Sequence, residues 1–371
     1  MKRHKMQFNK HIPIFLALFL IACIPAAAQL TPAEPDPLAR IRDAAAANVQ
    51  VCSATGETLC EQVAPKIIAN AQGDSPLAEN LRRLRAELAS KNNSVAEERA
   101  VAWALTAFRD AGLDPHVEKY SNPNGGEGGQ QNVVAEYRGR DNSDEWVLVG
   151  AHLGPQTLAP DAVDNSCDAA SVVEAARDIS RTAMHPKRSI RFVLFTGKES
   201  NNQGSWGYVR AHRAEFDHVR AAILIHSGCK RITGYSTNGR HDLESGLREA
   251  KKPIESLDAN LIDFRATTGT DDFDFLLEGV PTLSAYPLPP GSVDSTTSAR
   301  DASKVEMENV KHNIAVVAVT AFGIAERTAP IGPRQSHAEI ESLFVTLGLD
   351  TQMKTTEAWK QLESGERGRL P

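Results

Sequence analysis

A short apolar run that ends in histidine, Val147-Leu148-Val149-Gly150-Ala151-His152, precedes an Asp164-Asn165 pair. A second apolar run, beginning at Arg191, leads into the acid Glu199. Continuous apolar runs of this length read as strands buried on both faces, which requires helices on either side of a parallel sheet. The wider chain repeats the pattern. Strands are expected over 132–138, 146–152, 189–196 and 221–226, with helices over 167–182, 205–215 and 307–326. This alternation predicts an α/β fold, a three-layer sandwich around a mainly parallel mixed sheet. Upstream, Leu81, Leu84 and Leu88, then Val101, Leu105 and Phe108, give a helical spacing over 76–112, which Gly112 should stop. Ligands in such folds bind beyond the carboxyl ends of the strands. His152, Glu199 and His226 all fall there.

With 371 residues and 41% hydrophobic content, the chain can bury a core of domain size. A net charge of -6 without a basic patch excludes nucleic acid as a partner. Lys2, Arg3, Lys5 and Lys10 precede an apolar run over 12–21, and Ala26-Ala27-Ala28 follows. Residues 1–28 therefore read as a signal peptide, and the protein as exported, periplasmic or secreted. Leu20-Ile21-Ala22-Cys23 also fits a lipoprotein box, which would lipidate Cys23; an incidental cysteine in a leader is the other reading. No later segment has the length and apolarity of a transmembrane helix. Residues 29–75 read as an N-terminal arm, 76–330 as the main domain and 331–371 as a helical extension. Cys52 and Cys60 bracket a short turn and are expected to form a disulfide. Cys167 and Cys229 each lie just beyond a motif residue. They are either small buried apolar residues or a second disulfide, with zinc ligation a third reading.

The ordered motifs resemble the M28 family of zinc exopeptidases over about 81–325. They are Asn132-Val133-Val134-Ala135-Glu136, Gly150-Ala151-His152, Asp164-Asn165, Ile190 to Phe195, Gly204-Ser205, Gly269-Thr270-Asp271 with Phe275, and Gly279-Val280-Pro281. The resemblance implies two zinc ions held by a histidine, a bridging aspartate, a glutamate, a second aspartate and a late histidine. A further glutamate acts as general base. Carried onto this chain, His152 is the first histidine, Asp164 the bridge and Glu199 the glutamate ligand.

The other positions depart from the pattern. Lys198 stands where the base belongs, His226 replaces the second aspartate, and Thr296 replaces the late histidine. Gly154 stands where an aspartate would orient the first histidine. A threonine hydroxyl is a poor zinc ligand, whereas His152, Asp164 and His226 together could hold one ion. A protonated lysine cannot accept the proton of an attacking water. Lys198 would instead supply positive charge beside Asp164 and Glu199. The expectation is therefore at most one zinc ion, with a metal-free site as the alternative, and a peptide as substrate or ligand. Three activities fit: weak or absent hydrolysis at a degenerate site, a single-metal amino- or carboxypeptidase, and a non-catalytic peptide- or protein-binding module. His226 is either a ligand or a histidine satisfied by hydrogen bonding. Asp271 and Asp272 read as caps of the following helix. Trp146 and Trp206 read as packing residues.

Overall fold

The computed structural model describes residues 62–89, 93–120, 130–154, 165–197, 203–287 and 302–369. Among the described residues three helices come first: α1 (Ala64–Gln72), α2 (Leu77–Leu88) and α3 (Asn93–Asp110). Then follow β1 (His116–Tyr120), β2 (Gln130–Tyr137), β3 (Asn142–His152), α4 (Asn165–Arg181), β4 (Arg188–Phe195), α5 (Gln203–His212) and β5 (Val219–Ile225). The chain continues with β6 (Ile232–Ser236), α6 (Glu244–Ala250), β7 (Leu261–Asp263), α7 (Asp271–Leu277), β8 (Thr282–Pro287) and α8 (Ala302–Glu326). Helices α9 (His337–Thr346), α10 (Asp350–Met353) and α11 (Glu357–Glu363) end it.

The strands form one eight-stranded sheet in the order β1-β2-β4-β3-β5-β8-β6-β7. The central strands β4, β3, β5 and β8 run parallel, and antiparallel pairs flank them. The expected α/β sandwich is observed. Strand alternation divides the two faces. Val147, Val149, Ala151, Phe192 and Ile223 pack with α1, α3, α4 and α8, while Leu148, Val193, Phe195 and Leu224 pack with α5 and Phe275 of α7. Trp146 and Trp206 are buried on that second face, as packing residues should be. Helix α3 stops at Asp110, and Gly112 follows it at φ +86, the left-handed conformation that glycine adopts without penalty.

Two expectations change. Helix α1 lies within the stretch read as an arm, yet Ile67 and Ile68 are buried in the main core, so residues 64–72 belong with the domain. The extension beyond 331 also joins the body. Ile340, Phe344, Trp359 and Leu362 enclose a separate core with Phe273, Leu276 and Leu277 of α7. Cys23, Cys52 and Cys60 lie outside the described residues. Among the described residues, no helix is long and apolar enough to cross a membrane.

Edge strand β1 is fastened to the helical layer by charge. His212 Nε2 sits 2.9 Å from one Glu118 oxygen, its Nδ1 sits 3.0 Å from Glu215, and Tyr120 donates its hydroxyl to Glu118. Burial pushes the Glu118 carboxyl up, but the bonds from His212 and Tyr120 outweigh it and hold the carboxyl at about 2. Burial likewise pushes His212 down, and Glu118 and Glu215 outweigh it and raise it. Glu118 therefore stabilises the fold above its unfolded value near 4.5, and this contribution is lost as the pH falls toward 2. His212 contributes fully below its unfolded value near 6.5 and loses its contribution as pH rises through its folded value. The Glu118→Gln protein should be less stable than wild type by about 1–3 kcal/mol between pH 5 and 6. Urea unfolding should show that gap closing toward pH 2; a gap independent of pH would contradict the assignment.

Candidate functional site

The parallel register of the central strands brings the site together. Ladder pairs His152↔Phe195 and Gly150↔Leu224 set the carboxyl ends of β4, β3 and β5 side by side. Phe195 lies where a side chain on Gly150 would be, since a Cβ there would stand 2.7 Å from its ring. That close approach accounts for the glycine two residues before His152.

His152 is buried, and its Nδ1 lies 3.3 Å from Asp271 Oδ2. His226, one residue past β5, has its Nε2 2.8 Å from Asp272 Oδ1. Two histidines on neighbouring strands are thus held by two consecutive carboxylates at the start of α7. Asp271 and Asp272 are not helix caps. The residue before α7, Thr270, makes no side-chain capping bond, and the acids turn inward to the histidines. The second oxygen of Asp272 accepts from Ser284 Oγ at 2.6 Å, and Asn238 Nδ2 donates to that hydroxyl at 3.0 Å.

Electrostatics follow from this pairing. Burial alone would raise both aspartates, but the facing histidines outweigh it and hold each carboxyl below its ordinary range. Burial pushes His226 down, and Asp272, Asp271 and Asp168 together more than reverse it.

Among the described residues, His152 Nε2 is buried without a hydrogen-bond partner, while the carboxylate of Asp271 fixes the ring through the other nitrogen. This arrangement orients metal-bound histidines, so the residues present fit a metal ligand at Nε2. Asp271 thus orients the His152 ring from α7, where Gly154 has no side chain to do so. His226 is anchored the same way through Nε2, which leaves Nδ1 for a ligand. Asp164, Lys198, Glu199 and Thr296 lie outside the described residues.

Glu97, on α3, was not singled out by the sequence. It is a charged residue next to Glu98 on an otherwise ordinary helix, and no local pattern marks it. Yet its carboxylate is hydrogen-bonded to the Thr196 side chain and the Gly197 backbone, just before Lys198, and is drawn toward His152. Burial outweighs these contacts and raises its pKa.

Cys167 and Cys229 form a disulfide, with Cα atoms 5.1 Å apart. This overturns the reading of two separate apolar thiols. Its cause is the packing of the first turn of α4 against the loop after β5. Asp168 accepts from the backbone and hydroxyl of Ser227 and from the backbone of Gly228. Zinc ligation by these sulfurs does not apply while they are bonded to each other. They form, with Glu306, the one cluster of three potential metal-binding groups within reach of one another among the described residues.

Comparison with known proteins bears on the family and the fold. The family model for Peptidase family M28 matches residues 132–320, just over half of the chain. Rat carboxypeptidase Q is 28% identical over 153 residues, covering 41% of this chain and 32% of that protein. The chain thus matches about a third of the length of these curated relatives. An aminopeptidase from Aneurinibacillus sp. strain AM-1 shares the fold with a TM-score of 0.54 at 12% identity, over 73% of this chain and 98% of that one. A Zn-dependent exopeptidase from Parabacteroides distasonis has a TM-score of 0.50 at 14% identity, over 69% of this chain and 99% of that one.

Restoring an acid at position 154 should not repair the site. A Cβ on Gly154 would stand 2.9 Å from His152 Nε2, and Asp271 prevents the ring from swinging freely aside. Gly154→Asp should cost about 1–3 kcal/mol of stability through overpacking. A urea midpoint equal to that of wild type would show that the ring is not fixed.

Proposed function

Because the chain belongs to peptidase family M28, we propose that it is an exported, metallopeptidase-like protein that takes small peptides at the carboxyl edge of the sheet. It holds at most one zinc ion there, and its hydrolysis is weak or absent. The observation that carries this reading is His152, buried and anchored by Asp271 on one nitrogen, with the other unpartnered among the described residues. His152, His226 and Asp164 would hold the ion, and Asp271 and Asp272 orient the two rings. A bound zinc supplies Lewis acidity toward a peptide carbonyl or a water molecule.

The deficit in hydrolysis rests on Lys198 and Thr296. The lysine occupies the base position and carries a proton instead of accepting one. Its charge offsets Asp164 and Glu199 where a second ion is missing. Thr296 offers a neutral hydroxyl where a zinc ligand belongs. Export rests on the basic and apolar segments of residues 1–28; cleavage after Ala28 would release a soluble protein, and lipidation at Cys23 is the alternative outcome.

One observation favours a second reading, a single-zinc peptidase. Glu97 places a carboxylate of raised pKa against Gly197, beside the base position, and can accept a proton in place of Lys198.

Elemental analysis and hydrolysis of aminoacyl and dipeptide substrates test both readings. The expected result is no more than one zinc per chain and turnover well under about 1 per second. Two zinc ions with turnover of roughly 1–10³ per second would overturn the proposal. Lys198→Glu combined with Thr296→His should raise activity by about 10²-fold or more. If the second reading holds, wild type turns over and Glu97→Gln abolishes that turnover.

A further inference from the structure

The corner around Cys167 and Cys229 contains more than a structural cross-link. Arg85, from α2, places Nη2 3.5 Å from Cys167 Sγ and 3.4 Å from Cys229 Sγ. Its Nη1 binds Glu306 of α8 at 2.9 Å. Both sulfurs and a Glu306 oxygen lie within 4.8 Å of one another. Cys167 is buried, while Cys229 and Glu306 are half-buried, so the corner opens to solvent on one side.

We propose that reduction of the Cys167–Cys229 disulfide converts this corner into a site for one thiophilic divalent cation, held by the two sulfurs and the Glu306 carboxylate.

The chemistry balances. A thiol reductant attacks the half-buried Cys229 sulfur, the S–S bond breaks, and Cys167 leaves as a thiolate beside Arg85. A second reductant thiol resolves the mixed disulfide. Two electrons enter the protein, and the reductant departs as its own disulfide. A guanidinium at the leaving sulfur favours this step, because a better-stabilised thiolate leaves faster. When the cation binds, any proton remaining on sulfur passes to water.

The corner is held together without the S–S bond. Asp168 accepts from Ser227 and Gly228, and Asn313 donates to Ser227 Oγ and to the Lys230 carbonyl. Both cysteine-bearing segments therefore stay in place when the disulfide opens. Two sulfurs on one tetrahedral ion with bonds of about 2.3 Å stand about 3.7 Å apart, which side-chain rotation at fixed Cα positions 5.1 Å apart can reach. The ion takes the place that the Arg85 guanidinium holds against both sulfurs and Glu306, so the guanidinium swings outward and the two thiolates and one carboxylate, a sum of minus three, face the cation. Two sulfurs and one oxygen, with water in the fourth position, suit zinc or cadmium better than calcium or magnesium.

The test uses the full chain with Cys23, Cys52 and Cys60 replaced by serine, so that residues 167 and 229 hold its only thiols. A phosphine reductant opens the disulfide, and cadmium is titrated while thiolate-to-metal charge-transfer absorbance is followed. The reduced protein should bind one cadmium per chain through sulfur and the oxidised protein none. Cys167→Ser should abolish the band, and Glu306→Gln should weaken binding by about 10–100-fold. Absence of the band in folded reduced protein would overturn the proposal, as would unchanged affinity in Glu306→Gln. Unfolding on reduction, read by circular dichroism, would also overturn it, since Asp168 and Asn313 must hold the corner alone. The band reports sulfur ligation only, so the outcome is independent of zinc at His152.

Discussion

Three carboxylates, Asp271, Asp272 and Asp274, enter the interior within one turn at the start of α7, and each must be compensated there. They are 3%, 0% and 6% exposed. An unpaired charge at such depth costs several kcal/mol, so the fold has to bring a partner to each. Those partners come from three distant parts of the chain. His152 ends β3, His226 follows β5, and Arg367 lies beyond the last helix. The start of α7 is therefore where the sheet edge, the candidate site and the C-terminal extension are joined.

This arrangement explains how the site tolerates Gly154. A histidine ligand needs a carboxylate on its far nitrogen to fix ring orientation, and the acid can come from any element that reaches it. Here α7 places a carboxylate against both histidines that the proposed site would use. On the proposed reading, in which His226 stands where relatives carry an aspartate, the histidine is matched in the same way. Without the histidine, Asp272, which is fully buried, would be an uncompensated acid, and the partly buried His226 is held in turn by that carboxylate. The pair keeps itself in place whether or not a metal is bound.

Much of the architecture was legible in the sequence because strand and helix periodicities are local. The runs at 147–152 and 191–195 fixed the central strands, and the glycine at 112 marked the end of α3. What was illegible was pairing across distance. Asp271 lies 119 residues from His152 and Asp272 lies 46 from His226. Two acids after Gly269-Thr270 carry the local signature of a helix start, and only the sheet register shows that they face inward. Glu97 gave no signal at all, since helix α3 alone brings it to Gly197. The Cys167–Cys229 bond was half legible. Each cysteine stands three residues past a motif position, at Asp164 and His226, so convergence of those motifs implied their meeting. Asp164, Lys198, Glu199 and Thr296 lie outside the described residues, and their roles rest on the sequence.

The C-terminal extension follows from the same compensation. Arg367 pairs with Asp274, and its guanidinium stacks 3.5 Å over the Trp206 ring of α5. Ser205, next to that tryptophan, donates to the second Asp274 oxygen at 2.7 Å. Burial still raises the Asp274 pKa despite both partners, so neither is dispensable. One turn further on, the backbone of Gly368 donates to buried Glu278, which Arg213 and Arg334 also approach. Helix α7 thus presents acids at both ends, and residues beyond 331 supply much of the cationic and hydrogen-bonding complement. Helices α9 and α11 cover the apolar face of the same helix through Phe344 and Trp359. A chain ending before them would leave α7 with a bare apolar face, Asp274 without Arg367 and Glu278 without the Gly368 amide. The histidines would then lose the support that holds their aspartates in place, so the extension belongs to the foundation of the site.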